Sequence, residues 1–122
     1  MTLALDEALA TYGAAWVEPD ADKRRALLEV CWSDDGHYMD PNGTARGRDA
    51  LADLISEFQA QVPGARIELT SGASVHNGRI YFNWQMVTAD GKVVVEGVDF
   101  GRLGKDGRLR EIVGFFGPPP GL

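Results

Sequence analysis

Two aspartates stand where carboxyl chemistry would need them. Asp40 ends the short extended run His37-Tyr38-Met39-Asp40, which Pro41-Asn42-Gly43 stops. An aspartate before proline is most often a turn residue. At the lip of an apolar cavity, however, the same side chain loses hydration, which raises its pKa and leaves a base aimed at an acidic C–H. Asp99 lies within Val93-Val94-Val95-Glu96-Gly97-Val98-Asp99-Phe100. Strand alternation puts it on the face of Val95 and Gly97, opposite Val98 and Phe100. Glu96 is the natural outward acid of that strand, so Asp99 is expected inward, where a carboxyl must be paired or protonated.

Other chemistries find little support. His37 and His76 each stand beside a turn with no carboxylate or second histidine at ligand spacing, so both read as surface residues and no metal site is expected. Cys31 is the single cysteine; it excludes an internal disulfide and suits a reducing cytoplasm. No serine or cysteine neighbourhood resembles a nucleophile with its base. The glycines punctuate turns without a Gly-x-Gly-x-x-Gly after a strand, so no nucleotide cofactor is expected. Lys and Arg total 12 against 18 Asp and Glu, a net charge of −6, which leaves no basic stripe for nucleic acid. The N-terminal MTLALDEALATYG has no basic region, and no apolar run reaches membrane-spanning length; a soluble, cytoplasmic chain is the expectation.

The elements that would position the aspartates follow from periodicity. At 122 residues the chain suits one domain, 1–122. Leu5, Leu9, Tyr12, Ala15 and Trp16 recur at spacings of three and four, predicting a helix over 3–17 that ends before Glu18-Pro19. Asp20 can cap a second helix with Ala26, Leu27, Val30 and Cys31 as its buried stripe. Ser33-Asp34-Asp35-Gly36 reads as a turn, and the short strand 37–40 follows. Gly47-Arg48-Asp49 opens a third helix, with Leu51, Leu54, Ile55 and Phe58 on one face, closing at Pro63-Gly64.

Beyond that point the period changes to two. Strands are predicted over Ala65–Val75, Arg79–Thr88, Lys92–Leu103 and Leu109–Phe116, separated by His76-Asn77-Gly78, Ala89-Asp90-Gly91 and Lys105-Asp106-Gly107. They form an antiparallel meander that the three helices must cover. Ile80, Phe82, Trp84 and Met86 share the concave face of their strand. Tyr81, Asn83 and Gln85 share the outer one, a half-polar face suited to a homodimer interface.

The element order and two motifs carry a resemblance. Trp32-Ser33-Asp34-Asp35-Gly36-His37-Tyr38-Met39-Asp40-Pro41-Asn42-Gly43 with Gly47-Arg48-Asp49-Ala50-Leu51, and Val98-Asp99-Phe100 leading to Lys105-Asp106-Gly107-Arg108-Leu109, are similar to segments of ketosteroid isomerases and SnoaL-like polyketide cyclases. The chain thus resembles the nuclear-transport-factor-2-like superfamily over nearly its whole length. The resemblance implies an α+β cone-shaped barrel, with three N-terminal helices packed on a strongly curved antiparallel sheet that has a short first strand. It implies Asp40 as general base and Asp99 as a protonated donor to the developing enolate. The isomerases' third partner, a tyrosine in the first helix, is matched by Trp16, with Tyr12 one turn earlier.

The expected activity is proton transfer on a small, mostly apolar carbonyl compound, by a cofactor-independent isomerase or cyclase-like enzyme. Asp40, Asp99, Trp16 and Tyr12 would be its catalytic groups. Tyr38, Phe58, Phe82, Trp84, Met86, Ile112 and Phe116 would line the pocket. The alternative is a non-catalytic binding module for a small hydrophobic ligand, in which Asp40 only hydrogen-bonds the strand end.

Overall fold

The computed structural model describes residues 2–122. Helix α1 (Leu5–Val17) turns Ala8, Leu9, Tyr12, Ala15 and Trp16 inward and ends at Glu18, ahead of Pro19. Asp20 caps α2 (Ala21–Cys31), accepting from the Lys23 N–H at 3.0 Å.

The buried face of α2 differs from the apolar stripe. Ala26 and Val30 are exposed and Leu27 is half-buried, while Arg24, Leu28 and Cys31 are buried. Arg24 is the reason. Its guanidinium, 2% exposed, donates to the Glu18 carbonyl from Nε and Nη2 (3.2 and 2.9 Å), to Gln59 Oε1 at 2.8 Å, and to Ser56 Oγ. Gln59 in turn donates to the Trp16 and Glu18 carbonyls at 3.0 and 3.1 Å. The negative pole of α1 thereby satisfies a buried cation that has no carboxylate partner among the described residues, and ties α1 to α2 and α3 (Arg48–Gln61).

The sheet has seven strands: β1 (Trp32–Asp40), β2 (Gly43–Arg46), β3 (Arg66–Leu69), β4 (Ser74–His76), β5 (Arg79–Val87), β6 (Val93–Leu103) and β7 (Leu109–Phe116). Their order is β2-β1-β7-β6-β5-β3, with β4 also paired to β5. The expected meander is present, and Asn77-Gly78 turns with positive φ at both residues (49° and 71°), the geometry that favours this dipeptide. Three details depart from the sequence pattern. The Ser33–Gly36 segment lies inside β1, whose pairing jumps from Trp32↔Leu109 to His37↔Glu111, so the first strand is nine residues long and irregular. The run 65–75 is interrupted around Ser71-Gly72, where Ser71 Oγ accepts the Asn83 N–H that a continuous strand would use. Finally, β1 and β7 pair in parallel, making the sheet mixed; α3 and the meander intervene between them, and no hairpin dictates their direction.

The sheet stays open, with β2 and β3 at its edges. Helix α3 packs along β1 and β2, and α1 against β3. No helix is long and apolar enough to cross a membrane.

The curvature has a local cause. On the inner face of β6, a Cβ at Gly97 would lie 2.3 Å from the Trp84 ring and 2.5 Å from the Phe115 carbonyl oxygen; one at Gly101 would lie 2.2 Å from the Glu111 carbonyl oxygen. Neighbouring strands and side chains occupy the space these residues leave free. Gly97→Ala is expected to lower urea stability by about 1–3 kcal/mol through overpacking, whereas Gly72→Ala, with nothing within 4 Å, stays within about 0.5 kcal/mol.

Candidate active site

Strand register brings the two aspartates together. Asp99 on β6 faces Gly114 on β7, and Asp40 on β1 follows the Met39↔Val113 pair, which sets it beside Gly114 from the other side. A Cβ on Gly114 would stand 3.0 Å from Asp99 Oδ1 and 3.4 Å from Asp40 Cβ. The missing side chain is what lets both carboxyl groups share one row of the concave face.

Their environments differ. Asp40 is half-buried and accepts three hydrogen bonds: Oδ1 from the Asn42 and Gly43 N–H groups at 2.7 and 3.0 Å, and Oδ2 from the Tyr38 hydroxyl at 2.7 Å. Burial pushes the Tyr38 phenol above its ordinary range, with Tyr12 and the bond to Asp40 adding to the effect, so Tyr38 is a neutral donor. Asp99 is 7% exposed, and no described residue forms a hydrogen bond with its carboxyl. Desolvation pushes its pKa up to about 7. The Trp84 indole opposes this, approaching Asp99 without reaching hydrogen-bond geometry, and Asp40 adds to it. Below about pH 7 Asp99 is thus a neutral carboxylic acid facing the cavity.

Helix α1 supplies the roof. Tyr12, 2% exposed, stacks on Trp32 (centroids 5.9 Å apart) and meets Trp16 edge-on at 6.4 Å. Its hydroxyl is held protonated by burial and by Asp99. The indole N–H groups of Trp16 and Trp84 are buried without an acceptor among the described residues.

These groups surround a cavity of about 610 Å³. All four residues expected to do chemistry, Tyr12, Trp16, Asp40 and Asp99, line it, together with Tyr38, Phe58, Trp84, Met86 and Phe116. Phe82 and Ile112, expected in the lining, are instead 1% and 0% exposed in the core beneath it. Phe82 packs edge-on to Tyr12 at 6.5 Å, and the narrow end of the cone is filled by side chains of its own walls. Alternation identifies the inner face of a strand but not how deep along that face the core stops and the cavity begins.

On the opposite wall Phe58 is joined by residues that the sequence pattern does not mark as lining. Ala50, Asp53, Leu54, Glu57, Phe58 and Gln61 of α3 line the cavity at helical spacing, facing Ile67 and Leu69 of β3. The apolar helical period is readable in the sequence, whereas Asp53, Glu57 and Gln61 carry no local signal that sets them apart from a solvent face. The lining holds four carboxylates, Asp40, Asp53, Glu57 and Asp99, and among the described residues no cation. Cys31 is buried away from it, its thiol pushed up to about 12 by desolvation, which makes it a core residue rather than a nucleophile.

Comparison with known proteins places this geometry in a family. The profile of the SnoaL-like domain matches residues 9–112. No curated protein matches the sequence. Among solved structures, the chain is similar to a SnoaL-like family member from Agrobacterium tumefaciens, described as a candidate isomerase: 31% identity, TM-score 0.86, 93% of this chain and 97% of that one. A Catenulispora acidiphila protein of ketosteroid isomerase-like fold, crystallised with trimethylamine, aligns at 15% identity and TM-score 0.71 over 91% and 85% of the two chains. A candidate SnoaL-like polyketide cyclase from a Jannaschia species aligns at 14% identity and TM-score 0.67 over 95% and 89%. The last two share the fold alone. With the profile covering most of its length and a relative of nearly equal extent, the chain belongs to the SnoaL-like family.

Proposed function

We propose that the protein moves a proton on a small, mostly apolar carbonyl compound bound in the cone, using its own carboxyl groups. The observation that carries this reading is the row Asp40–Gly114–Asp99, in which a hydrogen-bonded acceptor and a buried neutral acid flank one gap in a largely apolar cavity. Asp40, as carboxylate, takes a proton from the carbon next to the carbonyl. The C–H electron pair passes into the enolate, and the oxyanion accepts hydrogen bonds from Asp99 and from the Trp16 indole or Tyr12 hydroxyl. Asp40 then delivers the proton to a conjugated carbon, which makes the net reaction an isomerisation; where the enolate carbon instead adds to a second carbonyl of the same molecule and closes a ring, the proton goes to the alkoxide oxygen formed there. The Agrobacterium relative and the Jannaschia protein carry descriptions of these two outcomes, and the Catenulispora protein was crystallised in complex with a small organic molecule, trimethylamine.

A second reading has one observation in its favour. Both oxygens of Asp40 are engaged by the β1–β2 turn and Tyr38, as a structural cap would be, and a pure binding module would need no more. Deuterium wash-in at the α-carbon of β,γ-unsaturated cyclohexenones, followed by NMR, separates the two. Asp40→Asn is expected to slow exchange by roughly 10²–10⁴-fold while the ketones still bind. Equal rates in the variant and the wild type would eliminate Asp40 as base and leave the binding module.

Asp99 adds a pH signature. Its donor role requires the proton, so kcat/KM falls as pH rises through about 7, and Asp99→Asn, which keeps an N–H donor, removes that limb. Stability follows the same sign. The unfolded carboxyl titrates near ~4 and the folded one about 7, so the contribution is full below ~4 and is lost as pH rises to about 7. Urea melts of wild type and Asp99→Asn between pH 4 and 8 should therefore diverge, the wild type losing stability that the variant keeps.

The outer sheet face pairs with a second copy in this proposal. Tyr81, Phe100 and Val113 align across β5, β6 and β7, and Tyr81, Phe100 and Phe115 are 52, 44 and 57% exposed. Light scattering should show a dimer that Phe100→Glu converts to monomer; a monomeric wild type would refute the interface. The lone buried thiol of Cys31 supports a cytoplasmic site of action.

A further inference from the structure

Every charged group lining the cavity is an acid. Asp53 and Glu57, one turn apart on α3, line it while remaining exposed, which places them at its mouth. Among the described residues neither forms a salt bridge or hydrogen bond. The nearby arginines are engaged elsewhere: Arg24 on the α1 carbonyls, Arg25 on Asp49, Arg48 on the Trp32 carbonyl. Like charges at this helical spacing repel, so α3 gives up stability to hold them there. Six aromatic rings, Tyr12, Trp16, Tyr38, Phe58, Trp84 and Phe116, make up much of the remaining wall. Aromatic faces and unpaired carboxylates attract the same kind of charge, and a narrow apolar cleft concentrates the field of both.

The interior has the opposite character. The Trp16 and Trp84 indole N–H groups lack acceptors, and Asp99, 93% buried, has no hydrogen-bond partner among the described residues. Among the described residues, the interior presents N–H donors without acceptors and the mouth presents carboxylates without a cation. We infer that the carbonyl compound this cavity takes also carries a cationic nitrogen, its oxygen toward Asp99 and its ammonium group between the aromatic walls and Asp53 and Glu57. This substrate class rests on the carbonyl chemistry proposed above, but charge recognition at the mouth is measurable apart from turnover.

The test uses two probes of one shape, phenyltrimethylammonium and tert-butylbenzene, titrated against the full-length protein while the indole ¹H–¹⁵N resonances of Trp16 and Trp84 are followed. The ammonium probe is expected to bind at least about tenfold more tightly and to weaken with added salt. Asp53→Asn with Glu57→Gln should cut that preference below about threefold and leave tert-butylbenzene binding unchanged. Glu57→Gln alone, at an exposed position, should fall between. Equal affinity for the two probes, or a preference that survives both substitutions, overturns the inference. The outcome is independent of the proton-transfer reading: Asp40→Asn is expected to keep the ammonium preference while losing exchange. A preserved preference with unchanged exchange would sink the catalytic proposal and leave ligand class standing.

Discussion

Along the inner face of β6 and β7 three side chains are absent, and most of the molecule is arranged around the space they leave. At Gly97 the Trp84 ring occupies it, and at Gly101 the backbone of β7 does. A β-carbon at either position would push the sheet outward, flattening the cone that the helices close. At Gly114 the consequence is chemical, because the gap is where the carboxyl groups of Asp40 and Asp99 face each other across one strand. Curvature and the meeting of the two carboxyl groups thus depend on the same constraint, close approach of heavy atoms over glycine.

The electrostatics follow from what the fold keeps away from the cavity. The buried cation, Arg24, is spent on the C-terminal carbonyls of α1, and its bonds to Ser56 and Gln59 hold the helices that carry Tyr12, Trp16 and Phe58. Among the described residues no positive side chain lines the pocket, so desolvation governs Asp99 and pushes its pKa up to about 7. Asp40 instead accepts hydrogen bonds from two backbone N–H groups and a phenol. Two carboxyl groups a strand apart thus stand in opposite surroundings, one hydrogen-bonded and the other desolvated without a partner among the described residues.

The aromatic residues divide between support and recognition. Trp32, Tyr12 and Phe82 pack at the closed end, where mutual stacking and edge contacts replace any ligand. Trp16, Tyr38, Phe58, Trp84 and Phe116 stand above them and face the opening. Tyr12 belongs to both groups, with its ring in the core and its hydroxyl close enough to Asp99 to feel that charge. This division explains why Phe82 and Ile112 joined the core although their strand positions pointed inward.

Local pattern determined a good deal of this protein. Helix faces, three hairpin turns, inward placement of Asp99 and the strand-ending position of Asp40 all depend on neighbours within a few residues, where period and turn chemistry act. The family motifs extended that reach to pairing Asp40 with Asp99. Tertiary structure alone decided the rest. The parallel β1–β7 pairing, which aligns Gly114 between the aspartates, joins segments about 70 residues apart with no turn to announce it. Arg24 displaced the apolar stripe of α2 because carbonyls from another helix could satisfy it. The depth at which packing gives way to a cavity is set by side-chain volumes summed over many elements, and so is the joining of Asp53 and Glu57 to a wall that, on α3 by itself, looks like solvent-exposed surface.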